Sequence, residues 1–230
     1  MNKLIMKKYF YNFYLIIKNI NNYGIITFFY AAIIEMFYLL RFYDFESYIH
    51  DDTETSTYQE TKNKAKYDGQ HTPTPYFFLT IASKFIKQIN YDDFILIDMG
   101  CGYGRVGKFF LSKYNSIFYG LEINQKLLNN LDNYTKKNSK FKIFQIDLRD
   151  VEKRSKIFDE IKKKNKKIVI FLSDPFDIDT ILDILSYFEK NEHIVVGVNI
   201  GSLQKLFIKY EIKYKKNFDK LRHVVLLRKK

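Results

Sequence analysis

From residue 76 onward the chain alternates between two patterns of apolar and polar positions. Short apolar runs bounded by turn residues read as strands covered on both faces. The segments between them, with apolar residues three or four apart, read as helices. Strands are predicted over 94–97, 116–121, 142–146, 168–172 and 193–198, and two more over 206–214 and 223–227, joined by a Lys/Asn-rich loop. A helix is predicted over 76–89, with Phe77, Ile81, Phe85 and Ile89 as its apolar stripe. Others are predicted over 125–138, with Leu127, Leu128 and Leu131 on one face, and over 178–189. The lysine-rich 162–167 reads as a solvated helix end. Strands and helices in this alternation call for an open α/β sheet.

The first forty residues follow a different pattern. Residues 1–22 mix apolar runs with Lys7, Lys8, Lys18 and several asparagines, a loosely amphipathic helix. Residues 23–40 are eighteen positions whose only charge is Glu35, flanked by Lys18 and Arg41. That length suffices to cross a bilayer, but Glu35 near its middle is costly in lipid unless paired. Thr27, Ala31, Glu35 and Tyr38 share a helical face, so a docking helix and a peripheral membrane contact through residues 1–42 stand beside a true span. A cleaved signal peptide lacks its small-residue cleavage site. Residues 43–71 are acidic (Asp51, Asp52, Glu54, Glu60) and poor in aliphatics, a linker or a loop folded over a site. The run from His71 through Pro73, Thr74 and Pro75 to Tyr76 is extended, because each proline fixes its own φ and restrains the residue before it. The chain thus divides into an amino-terminal helical region (1–42), a connecting segment (43–71) and one domain (72–230), with no internal repeat.

Composition changes this picture little. The content is 47% hydrophobic and 18% aromatic, ample for a core. The net charge of +12 is mostly lysine in a chain also rich in Asn, Ile, Phe and Tyr, a bias as easily genomic as functional. With no arginine-rich cluster and no zinc-finger spacing, specific nucleic-acid binding is not expected. The single cysteine, Cys101, leaves no intrachain disulfide within these residues and fits a reducing, cytoplasmic compartment. His50, His71, His193 and His223 form no H-E-x-x-H, and no C-x-x-C occurs, so no metal site is legible.

The candidate chemistry lies where the first strand ends. Asp98 closes it, and Gly100, Gly102 and Gly104 follow at alternate positions before helical spacing resumes at Arg105. Such a turn aims backbone N–H groups and a helix start at a ligand. The run 102–107 also matches G-x-G-x-x-G, the dinucleotide fingerprint. Against that reading stands Asp98, a carboxylate that would repel a pyrophosphate but favour the sulfonium and ammonium of S-adenosylmethionine (SAM). Glu122, at the end of the second strand and 22 residues beyond Gly100, can accept both hydroxyls of a ribose. Asp147 closes the third strand.

The pattern Asp98-x-Gly100-x-Gly102-x-Gly104 resembles the first motif of Rossmann-type SAM-dependent methyltransferases. A P-S/T-P-Y-like segment, one helix and then this motif resembles a largely uncharacterised bacterial group of them. It is also similar to protein-lysine methyltransferases whose catalytic domain follows an amino-terminal hydrophobic helix. The resemblance implies a seven-stranded, mostly parallel, doubly wound sheet with an antiparallel last strand. It implies SAM held along Thr74, Asp98, Gly100, Cys101, Gly102, Gly104, Glu122 and Asp147, with Thr74 toward the methionine end and Asp147 near the adenine amino group. Here His71 stands where the bacterial group usually has tyrosine. After the fourth strand, Asp174-Pro175-Phe176 is similar to the D/N-P-P-Y/F motif of amino methyltransferases, with one proline rather than two. There a side-chain oxygen and a backbone carbonyl accept an amine's N–H groups and aim its lone pair. The implied activity is N-methylation of a protein lysine or a small amine. Three other readings stay open. One is O-methylation of a saccharide or lipid, with His71 or His193 brought near by folding; the others are an NAD-dependent oxidoreductase and a non-catalytic, membrane-associated binding protein. Two plainer readings also stand, Asp174 as the N-cap of the helix after it and the Pro75 segment as a helix start.

Overall fold

The computed structural model describes residues 24–42, 74–173, 178–200, 203–218 and 223–230. The expectations for the first helix of the amino-terminal region, for the connecting segment with His71, and for Asp174, Pro175 and Phe176 lie outside the described residues.

Five strands run parallel: β1 (Ile95–Met99), β2 (Ile117–Glu122), β3 (Phe141–Gln145), β4 (Ile168–Ser173) and β5 (His193–Val198). Two more, β6 (Tyr210–Asn217) and β7 (His223–Lys229), pair antiparallel with each other, and β7 also with β5. The order across the sheet is β3-β2-β1-β4-β5-β7-β6, the seven-stranded, doubly wound arrangement expected. β1, β4 and β5 are apolar runs buried on both faces, as a central parallel strand must be. Chain order reverses between β1 and β4, which opens a crevice beyond their carboxyl ends.

The helices are α1 (Ile25–Phe42), α2 (Tyr76–Gln88), α3 (Arg105–Leu111), α4 (Gln125–Asn129), α5 (Asp132–Lys137), α6 (Val151–Lys163), α7 (Ile178–Tyr187) and α8 (Leu203–Leu206). On one face of the sheet, Leu96, Phe118, Phe171 and Val196 meet α2 and α3, with Tyr38 and Leu39 of α1. On the other, Ile97, Tyr119, Ile170 and Val195 meet α6 and α7 through Phe158, Ile161, Ile184 and Leu185.

Three expectations need correction. The helix over 125–138 is two, because Leu131 turns into the core and its N–H bonds back to Leu128 O at 2.8 Å in a tighter turn. Residues 206–209 are not strand: α8 ends at Leu206, and β6 begins only at Tyr210. In α2 the buried face is Tyr76, Phe77, Phe78, Leu79, Ala82 and Ile86, whereas Ile81, Phe85 and Ile89 are half-buried. The reason is that α2 is covered twice, by α1 and by β7, so its apolar surface is wider than one stripe.

Candidate functional site

The turn after β1 is tied to β2 before it opens. The N–H groups of Gly100 and Cys101 both donate to Leu121 O, at 2.8 and 3.1 Å, and that of Gly104 to Cys101 O at 2.8 Å. Gly100, Gly102 and Gly104 all take positive φ. At Gly104 the backbone is left-handed (φ 66°), and a Cβ there would lie 2.7 Å from the Phe141 ring. Nothing but glycine fits. Gly107, one turn into α3, lets the helix lie against the Phe118 ring, 2.7 Å from where a Cβ would stand.

Two carboxylates flank this loop. Glu122 is buried and turned onto the backbone: Oε2 accepts Gly102 N–H at 3.0 Å, and Oε1 accepts Ile123 and Asn124 N–H at 2.9 and 3.0 Å. Asp98 is 2% exposed, and its Oδ2 has no hydrogen-bond partner among the described residues. Burial, and then the Glu122 charge, push the Asp98 carboxyl up to about 8. A buried carboxyl oxygen without a donor is unfavourable in a bare fold and calls for a cation or a donor from a ligand. Cys101 is buried beside them. Burial, followed by the Asp98 and Glu122 charges, raises its thiol well above the ordinary range, so it stays protonated and is no nucleophile.

Asp147 lies two residues beyond the end of β3 and is partly exposed. Arg149 holds its carboxylate below the usual range, donating from Nε at 2.9 Å and Nη2 at 2.6 Å.

Thr74 is buried at the carboxyl end of β4, where its hydroxyl donates to Ser173 Oγ at 3.1 Å. Its carbonyl accepts Arg105 Nη1 at 3.3 Å. Arg105, the first residue of α3, is itself buried; the same Nη1 donates to Glu35 Oε1 at 2.8 Å, and its guanidinium sits 4.6 Å over the Tyr76 ring. Glu35 Oε2 accepts Tyr76 N–H at 2.7 Å, the donor at the start of α2 that the Pro75 cap has no side-chain oxygen to satisfy. Glu35, Arg105, Thr74 and Ser173 therefore join α1 to the end of β4.

The structure thus gathers Thr74, Asp98, Gly100, Cys101, Gly102, Gly104 and Glu122 around the carboxyl ends of β1, β2 and β4, with Asp147 at the rim beyond β3. Reading the sequence missed Ser173, Arg105 and Glu35 as members of this network. The signal for Glu35 was present, as the lone charge of an apolar helix. His193 is not near the crevice. It begins β5, at the opposite edge, buried between Asn191 O at 2.9 Å and the Tyr210 hydroxyl at 2.5 Å, and burial pushes its imidazole down. His223 begins the antiparallel β7, so it lies at the same edge as Ser173 and Val198. Among the described residues no cluster of His, Cys, Asp or Glu is placed to hold a metal ion.

No family model matches the chain, and no curated protein sequence does. Solved structures with a similar fold include fibrillarin in the fibrillarin/Nop5p complex, 14% identical over 66% of this chain and 81% of that one, with a TM-score of 0.49. The ribosomal protein L11 methylase of Lactobacillus delbrueckii subsp. bulgaricus is 13% identical over 70% and 80%, with a TM-score of 0.46. M. capricolum TrmK, solved with S-adenosyl-homocysteine, is 18% identical over 64% and 66%, with a TM-score of 0.44.

Proposed function

We propose that this chain is a SAM-dependent methyltransferase acting on the nitrogen of an amine, a protein lysine or a small molecule. The observation that carries the reading is Asp98, a buried carboxyl with an oxygen that has no hydrogen-bond partner among the described residues, at the mouth of three left-handed glycines. A dinucleotide pyrophosphate brought there would face Asp98 and Glu122 together, whereas an ammonium supplies the charge and the donor that Asp98 lacks. The residues present fit SAM. Asp98 would take the ammonium, the loop from Gly100 to Gly104 would lie along the cofactor, and Asp147 would sit near the adenine amino group. Three of about four acceptor positions on Glu122 are filled by backbone N–H groups, so accepting both ribose hydroxyls requires it to release one of them. The bound cofactor supplies a methyl group on a sulfonium, open to in-line displacement.

What the chain adds is alignment. Asp174, Pro175 and Phe176 follow Ser173 directly in sequence. The Asp174 side chain and the Pro175 carbonyl would hold the amine N–H groups, and Phe176 would offer a π-face to the cation that develops. O-methylation is the second reading, because His223 stands at the crevice edge of the sheet, where a base for a hydroxyl would be needed.

Calorimetry on the full chain tests the cofactor: S-adenosyl-homocysteine is expected to bind and NADH not, and the reverse overturns the reading. Tritiated SAM with cell extract tests the acceptor. Label recovered as N-methyl amine that falls in Asp174→Ala supports the amine. Label recovered as methyl ether that falls in a His223 variant supports the hydroxyl.

A further inference from the structure

The two faces of α1 differ. Toward the domain, Tyr38 stacks on Tyr76 (centroids 5.2 Å apart) and meets Phe109 edge-on at 5.0 Å, while Ala31, Ile34 and Phe42 pack around them and Glu35 binds Arg105. Away from it, Ile25, Ile26, Phe29, Ile33, Met36, Phe37 and Leu40 are all more than half exposed, with Ile26 at 83% and Ile33 at 68%. They recur three or four residues apart, so they form one continuous apolar strip along the whole helix.

Charge in this part of the sequence is one-sided. Residues 1–42 hold Lys3, Lys7, Lys8, Lys18 and Arg41, and their only acid is Glu35. That acid is turned into the protein and paired at 2.8 Å, so the outward face carries none. Arg41 and Lys113 are exposed near the carboxyl-terminal end of the helix, the latter with its ammonium 5.7 Å over the Tyr38 ring.

We propose that α1 docks this protein in the plane of an anionic lipid bilayer, its outward strip sunk in the interfacial layer and its inward face remaining on the domain. An apolar face with Arg41 and Lys113 exposed at one end and the acid withdrawn, in a segment whose other charges are all lysine, is complementary to such a surface. α1 is long and apolar enough to cross a bilayer by length and composition. A crossing, however, would carry the docked α2 and α3 surface into hydrocarbon or break the Glu35–Arg105 pair. This inference stands apart from the catalytic reading, and its test uses no cofactor.

The experiment is flotation of the full chain with phosphatidylcholine vesicles containing about one third phosphatidylglycerol, beside pure phosphatidylcholine and beside Ile26→Asp/Ile33→Asp. The wild type is expected to float with the anionic vesicles, less at about 0.5 M salt, and weakly with the neutral ones. The variant should lose at least about tenfold in partitioning for each apolar side chain removed. Both changes lie on the exposed face, so the thermal transition should not move. Failure of the wild type to float, or equal flotation of the variant, overturns the proposal. A wild-type dimer without vesicles that the variant makes monomeric overturns it in favour of a second copy on this face. Retention in membranes after carbonate washing overturns the in-plane geometry in favour of a span.

Discussion

Asp98 is where stability and binding pull against each other. Its carboxyl is raised to about 8, so between the ordinary carboxylate range and that value the folded protein holds a proton that the unfolded chain has released. Its contribution to stability therefore falls as pH rises through that window. Asp98→Asn should remove this slope: melting at pH 5 and pH 8.5 should show the wild type losing several degrees relative to the variant at the higher pH, at about 2–4 °C per kcal/mol for a domain of this size. The same substitution should weaken S-adenosyl-homocysteine binding roughly a hundredfold, because the ammonium loses its counter-charge. In the wild type, binding at pH 7 should release up to one proton, with affinity rising up to about tenfold per pH unit below 8. Calorimetry in buffers of different ionisation heat measures both, and an affinity independent of pH would show that Asp98 does not meet the charge. Gly104→Ala sets the scale for backbone at the same loop. Left-handed φ and the 2.7 Å approach to Phe141 act together, and a loss of roughly 2–5 kcal/mol in denaturant unfolding is expected.

At the scale of elements, the amino-terminal helix, the Pro75 segment and the glycine-loop helix meet in one ion pair. The Arg105 and Glu35 side chains are 3% and 19% exposed, so removing one leaves a largely buried charge behind. Glu35→Ala should cost about 3–5 kcal/mol, and Glu35→Gln/Arg105→Met should cost less than the two single changes added, with a coupling of about 1–3 kcal/mol. Additive costs in a double-mutant cycle would show that the pair does no more than fill space. This pair also shows what a sequence conceals. That Glu35 must be paired if buried follows from the apolar residues around it, but its partner is 70 residues away and lies inside a motif that advertises a different purpose. The central parallel strands β1, β4 and β5 were legible because each must be apolar on both faces. The break at Leu131 and the start of β6 at Tyr210 were not, since they depend on what the Phe141 and Leu206 surroundings leave room for. Likewise, the positions of Asp98 and Glu122 at strand ends can be read from the chain. That Glu122 turns onto Gly102, and that Asp98 keeps an oxygen with no partner among the described residues, cannot, because these are choices of rotamer made in three dimensions.

At the scale of the whole molecule, α1 belongs to two surfaces. Its inward face completes the core on the α2 and α3 side of the sheet, and the same face reaches the crevice through Arg105 and Thr74. Of its outward strip, Phe37 meets that core edge-on at Tyr38 (5.0 Å) and the rest stays exposed. Removing residues 1–42 should therefore uncover Tyr76, Phe77 and Phe109 and leave Arg105 without Glu35. Losing the burial of Tyr38 and Leu39 alone corresponds to about 3–6 kcal/mol, or roughly 6–24 °C in melting temperature. The shortened chain should also bind a hydrophobic dye that the full chain binds less, because the vacated seat is aromatic. Ile26→Asp/Ile33→Asp, by contrast, touches only the outward strip and should melt within about a degree of the wild type. If the shortened chain melts with the full one, α1 is not part of the folded unit, and the network from Glu35 to Ser173 does not hold the crevice. If it melts far below while the outward variant does not, the two faces of one helix serve different ends: the inner shapes the site, and the outer is left free to meet a surface.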